Sequence, residues 1–169
     1  GGRAFVSQSL RPYLVAALVD RDPDRAAIVV AGDDRAARDL AAGLRTWLAP
    51  PAGRYYPSRG VTYESHLAPP PHLVGRRIAA LDALLEPSAA PIVVVSAVAL
   101  SEKVPDPSLR PHGFVLEVGD LMDLDETAMD LVAAGYERVD QVEDRGQFAI
   151  RGGLLDLFPA TEDRAVRVD

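Results

Sequence analysis

Residues 135–159 read GYERVDQVEDRGQFAIRGGLLDLFP, and this stretch carries the strongest structural signals of the chain. Runs rich in aliphatic, β-branched and aromatic residues alternate with turn residues, which is typical of short strands joined by tight connections. Gly146 and the pair Gly152-Gly153 can adopt the positive φ that such turns require at no steric cost. The pattern therefore predicts a three-stranded antiparallel meander, with strands at Tyr136–Val142, Gln147–Ile150 and Leu154–Phe158.

The charge of the chain changes along its length. Residues 1–113 hold 12 Arg and 1 Lys against 11 acidic residues, a net of +2, whereas residues 114–169 hold 5 Arg against 14 acidic residues, a net of −9. Such a shift favours a boundary near Gly113, and we expect two domains, at residues 1–113 and 114–169. An acidic second domain is a poor match for a phosphate backbone, so its few arginines favour a protein partner.

The two domains differ in their pattern of elements. In residues 1–113, helices alternate with nearly continuous apolar strands, which predicts a parallel α/β sheet. The expected strands are Ala26–Ala31, Arg54–Tyr56 and Pro91–Ser96, and the expected helices run from Ser7 or Ser9 to about Asp20, from Arg35 to Leu48 and from Leu73 to Leu85. In residues 114–169 we expect a strand at Phe114–Val118, a helix from Asp123 or Asp125 to Ala134, the meander, and a fourth strand beginning at Val166. This is an α+β unit.

Several kinds of chemistry are disfavoured by the residues present. A nucleotide-binding P-loop needs a lysine in the motif G-x-x-x-x-G-K-[ST], and the single lysine, Lys103, lies in a segment without nearby glycines. The chain has no cysteine, and its three histidines, His66, His72 and His112, lie in proline-rich loops without the spacing of a helical metal site. We therefore expect no catalytic residue, cofactor or metal in this chain. With no apolar run of about 20 residues and no signal peptide, we expect a cytoplasmic protein without membrane association.

The motif Y-E-R-V-D-Q-V-x-x-x-G-x-F-A-x-R-G-G-x-L-D-x-F-P resembles the second domain of the UvrB-like module that opens the bacterial transcription-repair coupling factor (Mfd). The nucleotide-excision-repair protein UvrB has a similar stretch, and in both proteins this domain docks on UvrA. The loop from Arg54 to His72 is shorter and richer in proline than the long aromatic β-hairpin of UvrB, which favours the coupling factor. The resemblance extends over residues 26–169.

This resemblance implies a fold and a role. Residues 1–113 would be a degenerate, nucleotide-free RecA-like (P-loop NTPase-type) parallel-sheet domain, and residues 114–169 a UvrA-interacting domain that we expect to be truncated. The parent protein would be an ATP-dependent DNA translocase that displaces stalled RNA polymerase from double-stranded DNA, with ATP and Mg in its motor domain. The UvrA-docking surface would be masked by other parts of the parent until the motor engages.

The resemblance also assigns site residues. It places Arg138 and Arg151 on two arginine positions that the family uses to recognise UvrA, whereas a third such position is Ala149 here. Arg145 and Phe148 complete the predicted UvrA contact set, with Phe148 as an apolar anchor. The alternatives are pairing of Arg138 and Arg151 with nearby acidic residues and a core role for Phe148. For the whole chain, the alternatives are a fragment of a UvrB-type excinuclease or helicase subunit, and a structural oligomerisation domain.

Overall fold

The structure is a computed structural model and describes residues 1–48, 53–62, 65–86, 90–104, 106–109 and 116–169. The chain divides into two compact units, Gly1–Glu102 and Lys103–Asp169, called here the first and second unit. The boundary expected near Gly113, together with His112 and the start of the strand expected at Phe114, lies outside the described residues. No helix among the described residues is long and apolar enough to cross a membrane.

The first unit is a parallel α/β structure, as expected. Its elements, after a 3-10 turn at Gln8–Leu10, are α1 (Arg11–Val19), β1 (Ala27–Ala31), α2 (Asp34–Trp47), β2 (Arg54–Tyr56), α3 (Pro71–Leu85), β3 (Ile92–Ser96) and α4 (Ala97–Ser101). The strand order is β1-β3-β2, and both pairings with β3 are parallel. All five residues of β3 are buried because this strand lies in the centre of the sheet, which accounts for its apolar sequence.

Two hydrophobic clusters hold the first unit together. The larger one includes Ala16 of α1, Leu44 of α2 and Val94 of β3. The other includes Ala80 of α3 together with Val93 and Val95, whose side chains alternate with that of Val94 along the strand. The sheet is therefore covered by helices on both faces.

The second unit is an α+β structure whose sheet differs in one respect from the expectation. After a 3-10 turn at Pro107–Leu109, its elements are α5 (Leu124–Ala133), β4 (Glu137–Arg138), β5 (Gln147–Arg151), β6 (Leu154–Phe158) and β7 (Val166–Val168), in the order β4-β5-β6-β7. The last three strands form the antiparallel meander, but β4 pairs with β5 in parallel, so the sheet is mixed.

The prediction that the first meander strand is antiparallel was wrong because that strand ends early. It was expected to reach Val142 and turn back tightly, yet β4 ends at Arg138. Residues 139–146 then form a connection long enough to return the chain to the start of β5. At residues 116–118, the described part of the strand expected at Phe114–Val118, the backbone forms no strand.

Local capping fixes the ends of α5. The Asp123 carboxylate accepts hydrogen bonds from the backbone N–H groups of Asp125 and Glu126, at 2.9 and 3.1 Å, and so satisfies two unpaired donors of the first turn. At the other end, Gly135 adopts a φ of 91°, the left-handed conformation that commonly ends helices. The helix packs on the sheet through Ala128 and Leu131, which cluster with residues of β5 and β6.

Candidate protein-docking surface

The sheet of the second unit has two faces with different roles. Phe148, Leu155 and Leu157 pack with α5 and form the inner face. Side chains of the intervening residues lie on the opposite side, because successive residues of a strand alternate between faces. This outer face consists of Gln147, Ala149, Arg151, Leu154, Asp156, Phe158 and Arg167.

Arg151 lies on the outer face at the end of β5. Its side chain is 59% exposed, and its Nη2 atom is 3.7 Å from an oxygen of Asp156. At this distance the two groups form an ion pair but no hydrogen bond. The N–H groups of the Arg151 guanidinium are therefore available to another acceptor. Arg151 is thus placed where a partner can reach it.

Arg138 is exposed at the open edge of the sheet. It is the register partner of Phe148, which puts it on the inner-face side of β4, whereas Arg151 is on the outer face. Within the described part of the chain, Arg138 makes no ion pair. Since Phe148 and Arg151 are three residues apart, the two arginines are separated by about 10 Å along the strand direction. A partner that contacts both must extend around the β4 edge.

Arg145 is engaged within the second unit. Its Nε donates to the backbone oxygen of Glu162 at 2.8 Å, and its Nη2 is 2.5 Å from a carboxylate oxygen of Asp163. The guanidinium also lies over the Phe158 ring, 5.2 Å from the ring centroid. With only 23% of its side chain exposed, Arg145 fastens the connection before β5 to the segment after β6. Groups of the second unit itself therefore occupy the Arg145 guanidinium.

Phe148 is fully buried in the inner-face cluster, with 0% exposure. The expectation of an apolar anchor on the surface is therefore corrected: in this structure its ring has no surface to offer a partner, and it fills the core between α5 and the sheet. Ala149, at the third family arginine position, is also buried, at 1% exposure.

Sequence reasoning did not identify Asp156 and Arg167. Arg167 donates two hydrogen bonds to the Asp156 carboxylate, from Nε at 2.6 Å and from Nη2 at 2.8 Å. In Leu154–Phe158 and Val166–Val168, each of these charged residues stands between two apolar ones. This alternation could have predicted that both charged side chains lie on the same face of the sheet. Hydrogen bonds from Arg167 hold the pKa of Asp156 below its ordinary value, and the positive charges of Arg167 and Arg151 add to this effect.

The first unit has a polar network at the carboxyl edge of its parallel sheet, the edge where α/β folds commonly bind ligands. The Asp34 carboxylate accepts hydrogen bonds from the Ser58 backbone N–H at 3.0 Å, the Ser58 hydroxyl at 2.5 Å and the Ser96 hydroxyl at 2.8 Å. Burial and the negative charge of Asp34 raise the pKa of Tyr55 to about 12, so its hydroxyl remains a donor.

A second set of contacts holds the same loop after β2. Arg77 donates to the Pro57 backbone oxygen at 2.8 Å and pairs with Glu102 at 2.5 Å. The Glu102 carboxylate in turn accepts from the Arg59 backbone N–H at 3.0 Å, and Arg77 lies 4.4 Å from the centroid of the Tyr56 ring. These polar groups are used to fix the loop at this edge. Among the described residues, no group of three or more His, Cys, Asp or Glu side chains is placed to hold a metal ion.

Comparison with known proteins relates both units to one family. The UvrB interaction domain family matches residues 114–169. A transcription-repair-coupling factor of Mycobacterium bovis is 36% identical over 167 residues, which cover 95% of this chain and 13% of that protein. The factors of Myxococcus xanthus and Escherichia coli K12 are 35% identical over 149 residues and 37% identical over 79 residues, covering 84% and 46% of this chain and 12% and 7% of those proteins.

The described chain thus spans only about an eighth of the length of these relatives, with 13% of the Mycobacterium bovis protein covered. The similarity runs through both units, and the domain match includes the whole sheet with Arg138 and Arg151. The chain is thus a homologue of one part of the transcription-repair-coupling factors, and its residues 114–169 form a UvrB interaction domain.

Proposed function

We propose that this chain is a non-catalytic docking module that recruits UvrA through its second unit. The observation that carries the proposal is the exposure of two arginines, Arg138 and Arg151, on a domain of the UvrB interaction family. A guanidinium is planar and presents paired donors that match the geometry of a carboxylate. We therefore infer that UvrA supplies acidic groups to this surface.

The charge of the module supports a protein as the partner. Residues 114–169 carry a net charge of −9, so exposed arginines are local positive sites on an acidic domain. Such a surface repels a phosphate backbone at long range but pairs with individual carboxylates at contact distance. Arg145 and Phe148 then serve docking indirectly, by fixing the strands that carry Arg138 and Arg151.

The wider role follows from the family and is part of the same proposal. The module would lie at the start of a coupling factor that acts in the cytoplasm as an ATP-dependent translocase on double-stranded DNA and displaces stalled RNA polymerase, with ATP and Mg bound in a motor domain elsewhere. Other domains of that protein would mask the docking surface until the motor engages. The first unit would be a nucleotide-free relative of RecA-like domains, and its parallel sheet with helices on both faces supports this fold.

Calorimetric titration with purified UvrA tests the docking role. We expect the wild-type chain to bind, and Arg138→Ala and Arg151→Ala each to weaken binding by about 2–5 kcal/mol where the contact is buried in the complex. Arg164→Ala is the matched control, because Arg164 is an exposed arginine of the same unit that lies outside the proposed contact set.

A circular dichroism spectrum of each variant shows whether it is folded, so that weaker binding of a folded variant can be assigned to the lost contact. The docking proposal fails if the folded wild-type chain does not bind UvrA. The assignment of the contact residues fails if Arg138→Ala and Arg151→Ala bind as tightly as Arg164→Ala does.

A further inference from the structure

Three charged side chains, those of Arg151, Asp156 and Arg167, lie in a row on the outer face. The Asp156 carboxylate lies between the two arginines and pairs with both. Asp156 is the register partner of Arg167 on β7, and Arg151 approaches Asp156 from β5. Arg167 binds the carboxylate through two parallel hydrogen bonds, at 2.6 and 2.8 Å, whereas the nearest Arg151 nitrogen is 3.7 Å away. The carboxylate is thus unequally shared between two arginines.

The unequal sharing has a charge consequence. A bidentate arginine–carboxylate pair is the strongest geometry available to these groups, so Arg167 neutralises Asp156. Two arginines and one aspartate leave one positive charge on this row, and the hydrogen-bond geometry assigns that charge to Arg151. The Arg151 and Arg167 side chains are similarly exposed, at 59% and 61%, so exposure does not distinguish them. What distinguishes the two arginines is their contact with Asp156, because only Arg167 is within hydrogen-bond distance of its carboxylate.

We propose that Arg167 is a positioning residue for docking: by occupying the Asp156 carboxylate it keeps the guanidinium of Arg151 available for a carboxylate of the partner. This inference rests on the proposed docking function. Without Arg167, Asp156 is the nearest acceptor for Arg151, and the two side chains close into an intramolecular pair. The partner must then break that pair before it can bind.

Rescue by a second substitution distinguishes positioning from direct contact. We expect Arg167→Ala to raise the Kd for UvrA about two- to fivefold, the factor that corresponds to breaking one exposed ion pair. Adding Asp156→Asn removes the charge that captures Arg151, so the double variant Arg167→Ala/Asp156→Asn should bind with nearly the wild-type Kd. Arg164→Ala again serves as the control that removes one positive charge from the unit.

Two results would overturn the inference while leaving the docking function intact. One is a wild-type Kd for Arg167→Ala. The other is a weakened Arg167→Ala variant that Asp156→Asn does not rescue, which would mean that Arg167 itself touches UvrA or supports the sheet. Failure of the wild-type chain to bind UvrA would instead contradict the docking function.

A measurement on the free chain tests the positioning step without any partner. The Asp156 carboxyl carbon is titrated by NMR in the wild type, in Arg151→Ala, in Arg167→Ala and in the double variant Arg151→Ala/Arg167→Ala. We expect Arg151→Ala to raise the pKa of Asp156 more when Arg167 is absent than when it is present, because Arg151 closes on Asp156 only in the absence of Arg167. Equal effects in the two backgrounds would show that Arg167 does not control Arg151.

Discussion

At the scale of single residues, Asp34 is the group on which the first unit depends most clearly. Its carboxylate is the shared acceptor for the Ser58 backbone N–H and the Ser58 and Ser96 hydroxyls. We expect Asp34→Ala to lower the free energy of unfolding by about 2–3 kcal/mol, because it leaves several donors without their charged acceptor. Urea unfolding at pH 7 measures this loss. Asp39→Ala is the control, because Asp39 makes only exposed ion pairs at 3.7 and 3.9 Å and should cost less than about 1 kcal/mol.

The Asp34 contribution should also depend on pH. Burial alone would raise the pKa of Asp34, but hydrogen bonds from Ser58, Ser96 and Tyr55 outweigh it and hold the pKa below the ordinary value. A carboxyl with a lowered folded-state pKa contributes stability that is fully present above its unfolded pKa and is lost as pH falls through the folded pKa. The stability difference between the wild type and Asp34→Asn should therefore shrink on acidification below about pH 4. A difference that stays constant or grows would contradict this assignment.

The same scale shows what the sequence can and cannot reveal about the docking surface. The motif located Arg138 and Arg151, and both are exposed in the structure. Arg145 and Phe148 belong to the same motif, yet one pairs internally and the other lies in the core. The position of a residue in the motif does not tell whether its side chain is exposed. Exposure depends on which face of the sheet the side chain occupies, and the pairing partners of its strand decide that face.

At the scale of elements, the packing of α1 against α2 depends on a glycine in mid-helix. A Cβ at Gly43 would lie 2.6 Å from Cγ of Pro12, so the two helices approach closely only because that atom is absent. Alanine favours helix by about 1 kcal/mol over glycine, but overpacking costs about 1–3 kcal/mol. We expect Gly43→Ala to destabilise the first unit. Pro12→Gly removes both Pro12 atoms that a new Cβ would meet, Cγ at 2.6 Å and Cβ at 3.0 Å, so the double variant Pro12→Gly/Gly43→Ala should exceed Pro12→Gly in stability.

Trp47 provides the measurement for that prediction. It is the single tryptophan of the chain, and its ring centroid lies 5.0 Å from that of Tyr13 on α1. Its fluorescence during urea unfolding therefore reports on the α1–α2 contact directly. If Gly43→Ala stabilises the chain in the presence of Pro12, the close approach of the two helices is not what selects glycine here.

Element type was more predictable than element pairing. The apolar run ending at Ser96 was sufficient to predict a buried strand, because only the centre of a parallel sheet is covered on both faces. The direction of β4 was not predictable, since Tyr136–Val142 has the composition of a longer strand than the two residues that pair. Where the chain leaves a sheet is decided by contacts that strand composition does not show. An example is the Gln147 side chain, which accepts from the backbone N–H groups of Glu143 and Asp144 at 3.0 Å and holds the connection in a turn.

At the scale of the whole molecule, the docking role and the UvrB-type helicase alternative differ in their response to nucleotide. ATP binding by a P-loop requires a lysine that reaches the terminal phosphates, and Lys103 is the only lysine in the chain. It follows Glu102, the last residue of the first unit, whose carboxylate is held by Arg77 and the Arg59 backbone. Asp34, Ser58 and Ser96 at the carboxyl edge are likewise bonded to one another.

We therefore expect Mg-ATP at millimolar concentration to leave the melting temperature of this chain within about 1 °C of its nucleotide-free value. A ligand that binds only the folded state at a hundred times its Kd would add about 2.7 kcal/mol and raise the melting temperature by several degrees. Mg-ADP and Mg with inorganic phosphate are the controls for non-specific effects of ionic strength. A melting temperature that rises with ATP concentration and saturates would contradict the docking-only interpretation, because it would require a nucleotide site that this chain builds without a P-loop lysine.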